Sequence, residues 1–243
     1  MYAVLKPHMG KLPKRIKIHQ LGVQSYADSW ALQEDIFDQM VQAKRQNRSL
    51  EDAQPIDNHL LFVEHTPVFT LGKSGDLSHL LVSEEELKAR GIDFYHSNRG
   101  GDITYHGPGQ LVGYPLLDLD QFFTDIHKYL RLLEEAIIRT LADYGISASR
   151  SPGETGVWLA VGTPFARKIC AMGIRASSWV TMHGWALNVN TDLKNFDTII
   201  PCGIQGKGVT SMAQELGKEI PLSEVQSCWL EHFTELFEAR IEY

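Results

Sequence analysis

Residues 99–110 read RGGDITYHGPGQ, holding four glycines and a proline together with a cation (Arg99), an anion (Asp102), a phenol (Tyr105), an imidazole (His106) and an amide (Gln110). Glycine and proline set an unusual backbone path. The polar groups along it could grip a polar ligand or a catalytic partner, whereas a tight turn would need only the path; loops on rigid scaffolds are where such chemistry concentrates. Cys202 lies between Pro201 and Gly203, neighbours that would leave a sulfur approachable. A thiol becomes a useful nucleophile only when part of it is thiolate, which requires a nearby cation, helix dipole or base. Alone, a loop cysteine is a weak signal and reads more readily as an inert buried thiol. Lys168 opens the apolar run KICAMGIR, where a charge is ordinarily a solvated strand end. If the fold brings Lys168 against Cys202, its ammonium would lower the thiol pKa, and a partly desolvated lysine could itself exchange a proton. Sequence spacing leaves that contact open.

The other reactive side chains read more plainly. His183, within TMHGWALN, suits a structural or ligand-shaping role, and Cys170 and Cys228 sit at core or near-core positions of a strand and a helix. No set of His, Cys and carboxylate has metal-ligand spacing and no GxxxxGK[ST] loop is present. Neither a zinc enzyme nor a P-loop enzyme is expected, and no metal or cofactor.

The elements that must position these residues can be read from periodicity. A strand is predicted at Ile16–Leu21, then a helix from Tyr26 to about Lys44 on the stripe Tyr26, Trp30, Phe37 and Met40. The polar stretch 46–58 reads as a surface loop, and Leu60–Val63 as a buried strand. Ser83 and Glu86 have capping-box spacing for a helix over Ser83–Arg90, stopped by Gly91. Ile92–Ser97 and Leu111–Leu117 are strand-like, which makes the glycine block a connection between two strands. An amphipathic helix is expected over Thr124–Tyr144, ended by Gly145. Strands follow at Gly156–Val161, Lys168–Ala176 and Thr181–Asn190, the first two joined by a hairpin-like turn at Gly162 and Pro164. A short helix over Ser211–Leu216 and a final helix capped by Ser223 with Gln226 complete the chain. Strand clusters mixed with a few helices favour an α+β fold with a mixed or antiparallel sheet over a doubly wound one.

The 243 residues suit a single domain, with residues 1–15 as a tail and the 46–58 loop as peripheral. Hydrophobic content of 43% with 22% charge is that of a globular protein, and no apolar run approaches a bilayer span. No secretory signal is evident at the start, so the protein is expected to stay in the cytoplasm. Three cysteines cannot make a disulfide framework. A formal net charge of −7 argues against general nucleic-acid binding.

In order along the chain, EHTPVFTLGK, RGGDITYHGPGQLVGYPL, KICAMGIR, HGWALNVN and PCGI resemble the lipoyl(octanoyl) transferases, a likeness that runs from about Glu64 to Ser211. The resemblance implies the α+β fold shared with biotin and lipoate protein ligases. It implies an acyltransferase that takes octanoyl from octanoyl-acyl carrier protein and places it on a lysine of lipoyl domains, those of 2-oxoacid dehydrogenases and the glycine-cleavage H protein among them. The acyl-thioester cysteine of that family falls on Cys202, and its pKa-lowering lysine on Lys168. Its substrate-contact segments fall on Arg99, Gly100, Gly101, Asp102, Ile103, Thr104, Tyr105 and His106, on Ala171, Met172 and Gly173, and on Gly184, Trp185 and Ala186.

An eight-carbon chain asks for a narrow slot, and Ala171, Met172, Gly173, Gly184 and Ala186 would suit its walls. Both implied protein partners are acidic while this chain carries −7, so a local basic rim is expected from Lys73, Arg99, Lys168 and Lys207. Two other readings compete. An ATP-dependent lipoate or biotin ligase would share the fold but would not need Cys202, and a non-catalytic module would merely bind lipoyl domains or carrier protein.

Overall fold

A computed structural model of the chain describes residues 14–47, 56–200 and 208–242. In chain order the elements are β1 (Lys14–Gln24), α1 (Tyr26–Asn47), β2 (Asn58–His65), β3 (Val68–Leu71), α2 (Glu84–Ala89), β4 (Asp93–His96), β5 (Ile103–His106) and β6 (Gln110–Leu116). There follow α3 (Ile126–Asp143), β7 (Ser149–Ser151), β8 (Glu154–Leu159), β9 (Arg167–Ser177), β10 (Val180–Asn188), β11 (Gly208–Val209), α4 (Met212–Leu216), α5 (Leu222–Phe237) and β12 (Ala239–Glu242).

Among the described residues the large sheet runs β12-β1-β2-β6-β10-β9-β8-β7, with β11 against β9. A smaller sheet runs β4-β3-β5. Pairing is parallel where β1 meets β12 and β2, where β9 meets β11 and where β3 meets β4; the rest is antiparallel. The sheet is therefore mixed and the fold α+β, as the pattern of elements predicts.

Period-two alternation lets the central strands serve two layers at once. Leu60 and Phe62 of β2 join a core beneath the sheet, packed on Leu133 and Ile137 of α3 and on Trp229 and Phe233 of α5. Leu61 and Val63 face the other way, onto Phe37 and Met40 of α1. The small sheet carries its own cluster, Phe69, Leu71 and Ile103 against Leu87 of α2.

Local signals explain the ends of several elements. Ser83 accepts from the Glu86 amide while the Glu86 carboxylate accepts from the Ser83 amide, so the predicted capping box forms. Gly145, at φ +75°, stops the helix before it, as predicted.

Four expectations are corrected. The glycine block is more than a connection, because Ile103–His106 within it is strand β5, held by Val68–Leu71. The final helix has Pro221 at its N-cap with no side-chain cap, so Ser223 and Gln226 lie inside it; proline's fixed φ sets that start without a hydroxyl. Lys14 and Arg15, assigned to the tail, open β1 by pairing with β12. The 46–58 stretch supplies the end of α1 and the first residue of β2, and Asn58 is buried because its amide donates to the carbonyl of Arg15 and to Gln121. Residues 48–55 lie outside the described residues.

Candidate active site

A cavity of about 400 Å³ opens where residues 99–106, β9 and β10 meet the start of α1. Its floor is made of cross-strand pairs of small residues, Ala171 with Ala186 and Gly173 with Gly184. The glycines are required by close backbone approach. A Cβ on Gly173 would stand 2.5 Å from the carbonyl oxygen of Gly100, and one on Gly184 would stand 2.2 Å from that of Gly113. The Gly100 amide donates to the Ile174 carbonyl at 2.8 Å, which ties the glycine block to β9.

Lys168 reaches this cavity through an irregularity in β9. Leu159 faces Arg167 and Trp158 faces Lys168, but Val157 faces Cys170, so Ile169 is an extra residue in the ladder. Such a bulge re-aims the side chains next to it. Ile169 and Cys170, adjacent in sequence, both sit in the core beneath the sheet, while Lys168 and Ala171 both line the cavity. Without the bulge Lys168 would share the core face with Cys170. The ammonium lies 4.7 Å from the centroid of the Trp158 ring.

His183 is turned by a second irregularity. The pairing of Trp185 with Gly113 and of Leu187 with Leu111, continued along β10, sets His183 opposite Pro115. Proline offers no amide to the ladder. His183 takes φ +57°, and its own amide donates instead to Gln33 Oε1 of α1 at 2.9 Å. Its Nε2 donates to Asn98 Oδ1 at 2.6 Å, since Asn98 Nδ2 is already committed to Glu34.

His106, His183 and Tyr114 add imidazole and phenol to the wall, with His65 hydrogen-bonded to Tyr114 behind it. Burial holds the His65 pKa down at about 4 and that of His183 at about 3, and pushes His106 well below the ordinary histidine range. Burial lifts the Tyr114 hydroxyl well above its usual range. His65 Nδ1 donates to the Gln24 carbonyl at 3.2 Å and its Nε2 accepts from the Tyr114 hydroxyl at 2.7 Å. His106 Nδ1 donates to Gln110 Oε1 at 2.8 Å, an orientation fixed because Gln110 Nε2 donates to the Tyr105 carbonyl and to Asn188 Oδ1. Asn188 in turn donates to the Thr210 carbonyl, and the Thr210 amide donates to the Lys168 carbonyl at 2.9 Å. At the other end Thr70 Oγ1 lies 3.4 Å from His106 Nε2 and accepts from Arg99. A directed chain of hydrogen bonds thus joins Arg99 to the backbone of Lys168, and polar networks of this kind rigidify the groups they join.

Arg99, Gly101, Asp102, Ile103, Thr104 and His106 line the cavity, as do Lys168, Ala171, Met172, Gly173, Gly184, Trp185 and Ala186. Trp185 borders it while its ring packs into the core beside Gly113 and 4.5 Å from Trp229. Gly100 stands behind the wall, and Tyr105 turns away from it into the small sheet's cluster, 5.2 Å from the ring of Phe69.

Arg99 is no part of an exposed basic rim. It is buried, and it donates to the carbonyls of Thr70, Gly100 and Asp102. The expected rim also fails at Lys168, which is buried in the wall, whereas Lys73 is exposed. Cys202 and Lys207 lie outside the described residues. The residues flanking them meet the site: the Ile200 amide donates to the His79 carbonyl at 2.8 Å, and Gly208 pairs with Arg167 next to Lys168.

Sequence reasoning missed Tyr26, Ser74, His79, Tyr114 and Glu154, which also line the cavity. Tyr26 read as part of a core stripe, and nothing local marks His79, whose Nδ1 lies 2.6 Å from Asp102. It also missed a cluster outside the cavity. Asp143 accepts from Cys228 Sγ at 3.2 Å and from His232 Nε2 at 2.6 Å, and the i, i+4 spacing of Cys228 and His232 was the available signal.

Residues 25–234 match the family described as the lipoyl protein ligase A/B catalytic domain. The chain is 64% identical over 231 residues to a protein named octanoyltransferase from Christiangramia forsetii, covering 95% of this chain and 99% of that one. It is 63% identical over 229 residues to the octanoyltransferase of Flavobacterium johnsoniae, covering 94% and 99%. Among solved structures it resembles the bipartite lipoate protein ligase of Thermoplasma acidophilum, with a TM-score of 0.67 at 19% identity over 95% of this chain and 86% of that one. That last likeness is one of fold.

Proposed function

The chain belongs to the lipoyl protein ligase A/B catalytic-domain family and is an octanoyltransferase, and from that premise we propose that octanoyl passes from octanoyl-acyl carrier protein to a lipoyl-domain lysine through a thioester on Cys202. The observation that carries this reading is the pairing of a small-residue floor with a lysine turned onto the same cavity by a bulge. The floor leaves room for an apolar chain close to backbone. Lys168 stands beside it, and in sequence Cys202 falls between Ile200, whose amide donates to His79 of the wall, and Gly208, which pairs with Arg167 next to Lys168.

The chemistry follows from what each step requires. Cys202 thiolate attacks the carrier thioester, one C–S bond forms as another breaks, and the departing pantetheine thiolate takes a proton from Lys168. The acceptor lysine, as a neutral amine, then attacks the Cys202 acyl carbon. Its surplus proton goes to Lys168, now neutral, and the Cys202 sulfur leaves as thiolate. The Gly203 amide or those of the glycine block would stabilise the oxyanion. Arg99, His106 and Gln110 hold the wall rigid, and Ala171, Gly173, Gly184 and Ala186 shape the slot. Lipoyl domains of 2-oxoacid dehydrogenases and the glycine-cleavage H protein are the acceptors, and the reaction runs in the cytosol. No helix among the described residues is long and apolar enough to cross a membrane.

The test is a Cys202→Ala variant offered octanoyl-carrier protein, or free octanoate with ATP, together with a lipoyl domain. No transfer is expected from either donor. Transfer from octanoate and ATP would instead mark an adenylating ligase.

A further inference from the structure

Glu134 sits on α3 in the layer beneath the sheet, wholly buried between Leu133 and the run of Ala136 and Ile137. A carboxylate taken out of water is costly unless each oxygen is paired. Its Oε2 meets Arg150 Nε at 3.1 Å and Arg131 Nη1 at 3.0 Å. Those two side chains are 34% and 44% exposed, so they could reach water without it. The other oxygen has a partner that cannot. Oε1 accepts the backbone N–H of Gly156 at 3.0 Å.

Gly156 lies next to the bulge. Its φ is +115°, and a Cβ there would stand 2.5 Å from the Cys170 carbonyl oxygen and 3.6 Å from Lys168 Cε. The register shift that admits Ile169 lies between the next two residues, Val157 and Trp158. Gly156 also falls where β7 and β8 slip register, between the pairs Ser151–Glu154 and Ser149–Trp158, and a buried amide left unpaired there costs about 1–3 kcal/mol. Glu134 supplies an acceptor for the Gly156 amide from the far side of the sheet.

We infer that Glu134 is a positioning residue for acyl transfer: by holding the Gly156 amide it keeps the β8–β9 bulge closed and Lys168 turned into the cavity. The inference rests on the reading that Lys168 acts in transfer. Glu134 itself is not among the residues that line the cavity.

Two variants of the full chain separate the acceptor from the charge. Glu134→Gln keeps an oxygen within reach of Gly156, while its amide group faces arginines free to swing toward water. Glu134→Asp keeps the charge but withdraws the oxygen by one methylene. The aspartate variant is expected to lower kcat by on the order of ten- to a hundredfold, the effect of a displacement near 1 Å, and the glutamine variant by less than about threefold. KM for the octanoyl donor should hold in both. In a Lys168→Ala background the aspartate change should cost nothing further, because its effect runs through Lys168.

A slow glutamine and a fast aspartate variant would overturn the inference, as would an equal loss from Glu134→Asp with and without Lys168. A Lys168→Ala enzyme that transfers at the normal rate would overturn the reading beneath it, a distinct result.

Discussion

Lys168 and Trp158 face each other across β8 and β9, with the ammonium 4.7 Å from the indole ring centroid. The ring is 2% exposed, so the lysine head group rests on a desolvated indole face. Cation–π contacts of this kind are worth about 0.5–2 kcal/mol. Trp158→Phe, which keeps a weaker ring, is expected to slow transfer slightly. Trp158→Leu should slow it roughly three- to thirtyfold. Single-turnover rates from acylated enzyme to a lipoyl domain would measure both.

Arg99 predicts a stability effect rather than an effect on partner binding. Its planar fork spans the carbonyls of Thr70, Gly100 and Asp102, a span that a lysine ammonium cannot reproduce. Arg99→Lys should cost about 3 kcal/mol through lost charge-assisted hydrogen bonds. For a chain of this size that lowers Tm by about 6–12 °C, readable by thermal denaturation. Octanoyl transfer should depend on salt no differently in the variant, because the guanidinium is not at the surface.

Much of the architecture was legible in the sequence because period and cap agreed with burial, as in α2 with its Ser83–Glu86 box and α3 with its Gly145 stop. The site was legible by residue type but not by direction. Strict alternation places Lys168 with Cys170 and His183 with Trp185 on the core face, yet both line the cavity. What turns them is an extra residue, Ile169, in one ladder and Pro115 opposite the other, and both depend on pairing partners far away in the chain. Tyr105 fails for the mirror reason. It lies in a segment rich in site residues, but β5 alternates, so its ring goes to Phe69 while Thr104 and His106 border the cavity. Arg99 read as a surface cation because nothing local shows that three backbone carbonyls converge on it.

The buried histidines set a pH dependence. His65 and His183 are held neutral, with pKa values lowered to about 4 and about 3, against about 6.5 for an unfolded histidine. Above pH 6.5 neither state binds the extra proton and the contribution is complete. As pH falls below 6.5 the unfolded chain takes up protons that the folded chain refuses, so stability is lost. Each histidine adds about 1.4 kcal/mol per pH unit to that loss. It continues for His65 to about pH 4 and for His183 to about pH 3. Urea midpoints measured from pH 7.5 to 4.5 should fall, and a His65→Gln variant should show a shallower slope.

The floor of the slot predicts a shift in chain length. Ala171 pairs with Ala186 across β9 and β10 at the cavity wall. Ala171→Leu fills part of that space, so the variant should favour acyl chains about two carbons shorter. Each methylene is worth about 0.8 kcal/mol, which makes the expected change in the hexanoyl-to-octanoyl ratio of kcat/KM roughly fifteenfold. Competition between the two acyl-carrier substrates would read it directly.

The proposed thioester puts the acyl group on Cys202 with Lys168 as its proton partner. Intact-mass measurement after mixing the enzyme with octanoyl-carrier protein, without ATP, tests it most directly. One octanoyl adduct per chain is expected, labile to hydroxylamine, absent from Cys202→Ala, slow to form in Lys168→Ala, and discharged by a lipoyl domain. An enzyme that acylates the lipoyl domain while its Cys202→Ala variant does so equally well, or while the adduct sits on another residue, would contradict it.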